Sequence, residues 1–204
     1  MVSARDRATI VLLAGGPATR LPGKLALNVE GEPMLVRSFR RLTTEGWPCV
    51  ISSRAALAPA TATALAGVPV VLDELSDAGP LGGLLSGARA AATPLVFAAA
   101  ADMPNLSATF ALRLLAAYDA MDVKPDAVLP TWADGHVEPL AALYERAALI
   151  KRAGAALRAG KRKVTSWLDG ATVLAYPLTS SDEIELLNVN TPADYERVSS
   201  GGAR

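Results

Sequence analysis

Pro94-Leu95-Val96-Phe97-Ala98-Ala99-Ala100-Ala101-Asp102 is the most apolar stretch of the chain, and it ends on a carboxylate. A strand that is apolar on both faces belongs at the centre of a parallel sheet covered by helices on both sides. Outward from it, apolar runs and helical patterns alternate. Towards the N-terminus, residues 8–13, 48–51 and 68–72 read as strands. Between the first two, residues 33–45 read as a helix with Leu35, Phe39 and Leu42 on one face. Residues 84–92 look helical. Towards the C-terminus, the pattern predicts helices over 106–121 and 146–159 and strands over 127–130 and 140–144. A last helix starts near Pro192 with Thr191 as its N-cap. Residues 199–204 read as a frayed tail. Strand–helix alternation of this kind predicts an α/β sandwich with a mostly parallel sheet.

The 204 residues suit one domain (1–204), and a 51% hydrophobic content supplies a large core. Lys+Arg and Asp+Glu are both 20, so the chain lacks the basic field of a general nucleic-acid binder. The one cysteine, Cys49, excludes an intrachain disulfide, and with the one histidine, His136, it excludes a cysteine- or histidine-rich metal site. A metal would therefore take oxygen ligands, which points to Mg²⁺. Arg5 and Arg7 precede an apolar run, but the run is short and breaks at Gly15-Gly16. It reads as a core strand rather than a secretion signal, and no segment approaches a membrane span. The expectation is a cytoplasmic protein.

In parallel sheets, ligands sit at the C-terminal ends of strands. Four segments meet that rule. Leu13-Ala14-Gly15-Gly16-Pro17-Ala18-Thr19-Arg20-Leu21-Pro22-Gly23-Lys24 is a glycine-rich turn after the first strand, with two cations that could neutralise phosphates. Its spacing fits neither the Walker P-loop nor the dinucleotide fingerprint. Asp102 closes the apolar strand; a carboxylate there must be paired, bind a cation or cap the next helix. Asp73 ends the third strand, where it could hold a ribose or base. Asn188-Val189-Asn190-Thr191-Pro192 sets two amides before a helix N-terminus, as an Asx turn or as metal or phosphate ligands. Further along, Asp77-Ala78-Gly79-Pro80-Leu81-Gly82-Gly83 reads as a second glycine-rich loop before a helix. His136 and Glu138 lie in a loop. The Lys161-Arg162-Lys163 triplet is a solvated turn or an anion site.

Taken in order, these segments, with Ala101-Asp102-Met103-Pro104 and Pro139-Leu140-Ala141-Ala142-Leu143-Tyr144, resemble the molybdenum cofactor guanylyltransferases and their nucleotidyltransferase relatives. The resemblance implies a three-layer α/β/α sandwich with a Rossmann-like, mostly parallel sheet of the nucleotide-diphospho-sugar transferase type. It implies that Leu13, Ala14, Gly15, Lys24, Asp73 and Asp102 bind GTP; Gly16, Gly82 of the second glycine-rich loop, and Ser53, near where the family has an Asn, join them as nucleotide-binding candidates. Asp102 would also bind Mg²⁺, and Arg20, Lys24 and Asp102 would be catalytic. Arg162, Asn188 and Asn190 are the candidates for the acceptor. The family has an Asn near Ser52-Ser53, and commonly Arg-Met-Gly where this chain has Arg20-Leu21-Pro22-Gly23. The Leu-Ala-Gly-Gly form resembles the guanylyl enzymes, whereas the cytidylyl relatives usually carry Leu-Ala-Ala-Gly.

The reaction so implied joins GTP to molybdenum-molybdopterin, giving molybdopterin guanine dinucleotide and pyrophosphate. Molybdoenzyme apoproteins would receive the product. An attacking phosphate monoester, with a second pKa of about 6, needs no general base. The alternatives are CTP or another phosphorylated acceptor, such as cobinamide phosphate, a sugar phosphate or phospholactate, and a non-catalytic nucleotide-binding protein on the same fold.

Overall fold

A computed structural model describes residues 3–15, 21, 23–73 and 78–199. The chain runs β1 (Ala8–Leu13), a two-residue hairpin of β2 (Asn28–Val29) and β3 (Glu32–Pro33), α1 (Met34–Thr43), β4 (Cys49–Ser53), α2 (Pro59–Ala64), β5 (Val70–Leu72) and α3 (Gly79–Ala90). It continues through β6 (Leu95–Ala100), α4 (Ala108–Asp119), β7 (Ala127–Thr131), β8 (Ala141–Glu145), α5 (Arg146–Arg158), β9 (Val173–Pro177) and α6 (Pro192–Ser199). Seven strands form one sheet in the order β5-β4-β1-β6-β8-β7-β9. All run parallel except β8, which is antiparallel to β6 and to β7.

The apolar strand β6 sits in the middle of this sheet, and all six of its residues are buried. Alternation sorts them by face. Phe97 and Ala99 join Ile10 and Leu12 against Leu35 and Leu42 of α1 and Phe110 and Leu114 of α4. Val96 and Ala98 join Val11 and Tyr144 against Leu81, Leu84 and Ala88 of α3 and Leu149, Ala153 and Leu157 of α5. Two apolar layers, one on each side of the sheet, make the three-layer sandwich. Each large apolar side chain so buried contributes about 1.5–3 kcal/mol relative to exposure.

The segment 79–83 differs from its expectation as a loop. It forms the first turn and a half of α3, with Pro80 in that first turn, where its missing N–H costs nothing. Its glycines serve close packing instead. A Cβ on Gly87 would lie 2.3 Å from Val11 Cγ1, and one on Gly83 would lie 2.9 Å from Ser52 Oγ. The helix therefore lies directly on β1 and β4, and this brings its N-terminal turn beside the ends of those strands.

Candidate active site

The C-terminal ends of β1, β4, β5 and β6 open into a cleft of about 510 Å³. Backbone hydrogen bonds carry the sheet ladder just past these strand ends. Ala14 N donates to Ser52 O (2.7 Å), Asp73 N to Ser53 O (2.9 Å) and Ala101 N to Leu13 O (3.0 Å). Leu13, Ala14, Gly15, Lys24, Ser53, Asp73 and Asp102, all expected at one pocket, line this cleft. Gly16 and Arg20 lie outside the described residues.

At one end stands the charged cluster. Lys24 follows Gly23, whose φ of +69° places the chain in the left-handed region that suits glycine, and opens a short 3-10 turn. Its ammonium donates to Asp102 Oδ2 (2.5 Å), Asn190 Oδ1 (2.9 Å) and Val189 O (3.2 Å). Asp102 takes this cation and leaves the capping of α4 to Ser107, whose hydroxyl accepts from Phe110 N. Val189 N closes back on Asp102 O at 2.8 Å. The Asn190 segment is fixed from below by a reciprocal cap at α6. Asp194 Oδ2 accepts from Asn190 N (3.0 Å) and Thr191 N (2.8 Å), while Thr191 Oγ1 accepts from Asp194 N (3.2 Å). Burial works to raise the Asp194 pKa. Hydrogen bonds from Thr191 and from the Asn190 and Thr191 backbone outweigh it, aided by Arg197, and hold the pKa below the ordinary 3.8.

At the other end, Ser52 Oγ donates to Asp73 Oδ1 at 2.7 Å, and Ser53 Oγ turns away to Ala55 O at 2.8 Å. A Cβ on Gly15 would meet Arg54 Cγ at 3.1 Å and Asp73 Oδ2 at 3.4 Å. The glycine thus leaves open a gap between Arg54 and Asp73. Arg54 was not among the expected residues. The signal for it was its place as the first cation after an expected strand.

Four of the expected residues that the structure describes stand apart from the cleft lining, and one of them, Asn190, reaches it through Lys24. Gly82 is buried inside α3, and Gly83 is the glycine that reaches the cleft. Arg162 donates to Leu157 O and Lys161 O, each at 3.2 Å, and its own carbonyl lies beside Gly79. Asn188 is half-buried next to Val189 and does not line the cleft.

The loop 132–140 also reaches this edge, because antiparallel β8 begins where β6 ends. Leu140 lines the cleft. Within the loop, Trp132 N donates to His136 O (2.7 Å), Gly135 N to Trp132 O (2.9 Å) and Trp132 Nε1 to Glu138 Oε1 (3.0 Å), while Glu138 N donates to Pro130 O of β7 (2.9 Å) and Pro139 O accepts from Tyr144 Oη of β8 (2.6 Å). His136 is largely exposed, with Nε2 3.8 Å from Glu138 Oε1.

Comparison with known proteins shows the family and the fold. Residues 10–194 fit the family model described as MobA-like NTP transferase domain. A molybdenum cofactor guanylyltransferase of Burkholderia vietnamiensis is 41% identical over 167 residues, covering 78% of this chain and 80% of its own. One from Cupriavidus taiwanensis is 32% identical, covering 92% of this chain and 94% of its own. Among solved structures, the molybdopterin-guanine dinucleotide biosynthesis protein A of Archaeoglobus fulgidus superposes with a TM-score of 0.78 at 22% identity, over 94% of this chain and 97% of that one. The 4-diphosphocytidyl-2C-methyl-D-erythritol synthase of Anaerococcus prevotii gives 0.74 at 11% identity, over 98% and 99%. At these identities the two structures speak for the fold, and both share the three-layer sandwich.

Proposed function

This chain belongs to the MobA-like NTP transferase family of nucleotidyltransferases, and from that premise we propose that it transfers GMP from GTP to molybdenum-molybdopterin, as a single nucleotidyltransferase domain. The observation that carries the reading is one cleft with Asp73 at one end and the Lys24–Asp102–Asn190 cluster at the other. Their strands, β5 and β6, stand three strand spacings apart, about 14 Å. A nucleoside triphosphate laid along the sheet edge bridges that distance, base towards Asp73 and phosphates towards Lys24.

The base end favours guanine. Asp73 Oδ2, left over after Ser52 engages Oδ1, is an acceptor for the ring and amino N–H groups of guanine. Arg54 presents the donor fork that matches its O6 and N7. Gly15 keeps the gap between them wide enough for a purine.

The phosphate end suits Mg²⁺. Asp102 Oδ2, Asn190 Oδ1 and Val189 O converge on one point and are all hard oxygen donors. Among the described residues no group of three acidic, His or Cys side chains gathers, as befits an ion that keeps water and substrate phosphates as ligands. Asp102, helped by Asn190, would hold the ion, whose role is to neutralise charge on the phosphates. The terminal phosphate of the pterin attacks the α-phosphorus of GTP; that P–O bond forms as the bond to pyrophosphate breaks. The attacking oxygen is already ionised, so the chain's residues align the reactants and absorb charge, Lys24 and Arg20 on the departing pyrophosphate. Arg162, Asn188 and Asn190 remain the candidates for the acceptor. Molybdoenzyme apoproteins are the proposed recipients of the product.

A cytoplasmic setting accompanies this reading. No helix among the described residues is long and apolar enough to cross a membrane, and Cys49 is a free, buried thiol whose pKa burial pushes up to about 12. The test is pyrophosphate release with Mg²⁺ and a phosphorylated pterin acceptor, with GTP set against CTP, ATP and UTP. Release with GTP and formation of a dinucleotide support the proposal. No release with GTP, or faster release with CTP, overturns it.

A further inference from the structure

Lys24 is the best-held cation of the cleft, with a side chain only 10% exposed. An ammonium has three N–H donors, and here each finds an acceptor: a carboxylate, an amide carbonyl and a peptide carbonyl. These are the oxygen types a hard divalent cation takes. The spacing, however, is that of an ammonium. At 2.5, 2.9 and 3.2 Å, the three oxygens would have to close by roughly 0.4 to 1.1 Å to reach the 2.0–2.1 Å of Mg²⁺. Two cations cannot share so small a cage, since their repulsion is steep at such separation.

The cage does not depend on the lysine that fills it. Val189 is tied to Asp102 through its own N–H, and Asn190 is tied to Asp194. The backbone at both positions stays anchored if the ammonium leaves. Lys24 also lines the open cleft, so a short swing of its chain moves the charge from the cage towards a bound ligand. Only an anion offers an ammonium a comparable set of charge-assisted hydrogen bonds.

We propose that Lys24 is the resident cation of the metal cage and sets the order of loading. Without nucleotide, its ammonium occupies the oxygens of Asp102, Asn190 and Val189 and keeps divalent ions out. The phosphates of an incoming nucleotide draw it away, and Asp102 then becomes a ligand for the divalent ion. The order of loading rests on reading the cleft as a triphosphate site; the occupancy of the cage does not.

The experiment is Mn²⁺ binding followed by the electron paramagnetic resonance signal of the free ion, with no nucleotide present. The wild-type chain should leave millimolar Mn²⁺ largely free. Lys24→Met should bind Mn²⁺ at least about tenfold more tightly, and adding Asp102→Asn should remove that gain. Equal binding by Lys24→Met and wild type, or a gain that survives Asp102→Asn, overturns the proposal. If Lys24→Met fails to fold, ¹⁵N spectra of the wild-type lysine ammonium groups decide. The Lys24 signal should stay unmoved by Mg²⁺ alone and shift when GTP is added; a shift with Mg²⁺ alone overturns the proposal. A chain that binds no nucleotide would fail the functional reading while leaving the nucleotide-free Mn²⁺ comparison intact.

Discussion

The two ends of the cleft hold their cations in opposite ways. Lys24 is buried and has three acceptors. Arg54 is exposed, and its guanidinium makes no hydrogen bond or ion pair among the described residues. Lys24 must exchange three filled hydrogen bonds for any new partner, so only an anion can draw it out. An uncommitted fork suits the choice of ligand, because it gives up no internal partner when it binds.

The comparison breaks most clearly at Asp102. In Asp102→Ala, transfer should fall by about 10³-fold or more, with circular dichroism and the melting profile showing an intact fold. Near-normal pyrophosphate release would remove Asp102 from the chemistry. Gly15→Ala probes the opposite end. Its Cβ would press on Arg54 and Asp73, so kcat/KM for GTP should drop by about tenfold while CTP is less affected. Arg54→Ala should raise the KM for GTP several-fold with little change in kcat, the mark of a group that binds ground and transition states alike. An equal fall in kcat would instead place Arg54 with Lys24.

The smallest effects belong to the support beneath Asn190. Asp194→Ala removes the α6 cap and should cost about 1 kcal/mol of stability, read by denaturant unfolding. The pH dependence has a definite sign. The folded Asp194 pKa lies below its ordinary 3.8, so its contribution is complete at neutral pH and is lost as pH falls from about 3.8 through the lower folded value. The acid limb of a stability profile should flatten in Asp194→Ala.

Much of the sheet was legible in the sequence because burial on both faces leaves a simple mark. Residues 94–101 carry it, and β6 lies where that mark predicts. The half-exposed edge strand β9 and the short alanine–threonine helix α2 carry no such mark and were not foreseen. Gly79–Gly83 misled for a physical reason: glycines that allow close helix–sheet packing look the same in sequence as glycines that open a loop. At the site, Lys24 and Asp102 could each be expected near a phosphate. Their pairing across 78 residues, with Asn190 as third partner, is a property of strand order. Arg54 escaped because an arginine just past a strand end resembles any solvated charge until Gly15 and Asp73 are placed beside it.

The loop 132–140 has a consequence for engineering. Both its stems, the end of β7 and the start of β8, are anchored in the sheet, and its ties beyond its own hydrogen bonds run to strand residues beside those stems: Glu138 N to Pro130 O, Tyr144 Oη to Pro139 O and Ala100 N to Leu140 O. It behaves as a cassette beside the cleft. Exchanging it with the equivalent loop of a relative should alter the rim near Leu140 while the Lys24 cage and the Asp73 end keep their geometry, which makes it the natural graft point for chimaeras.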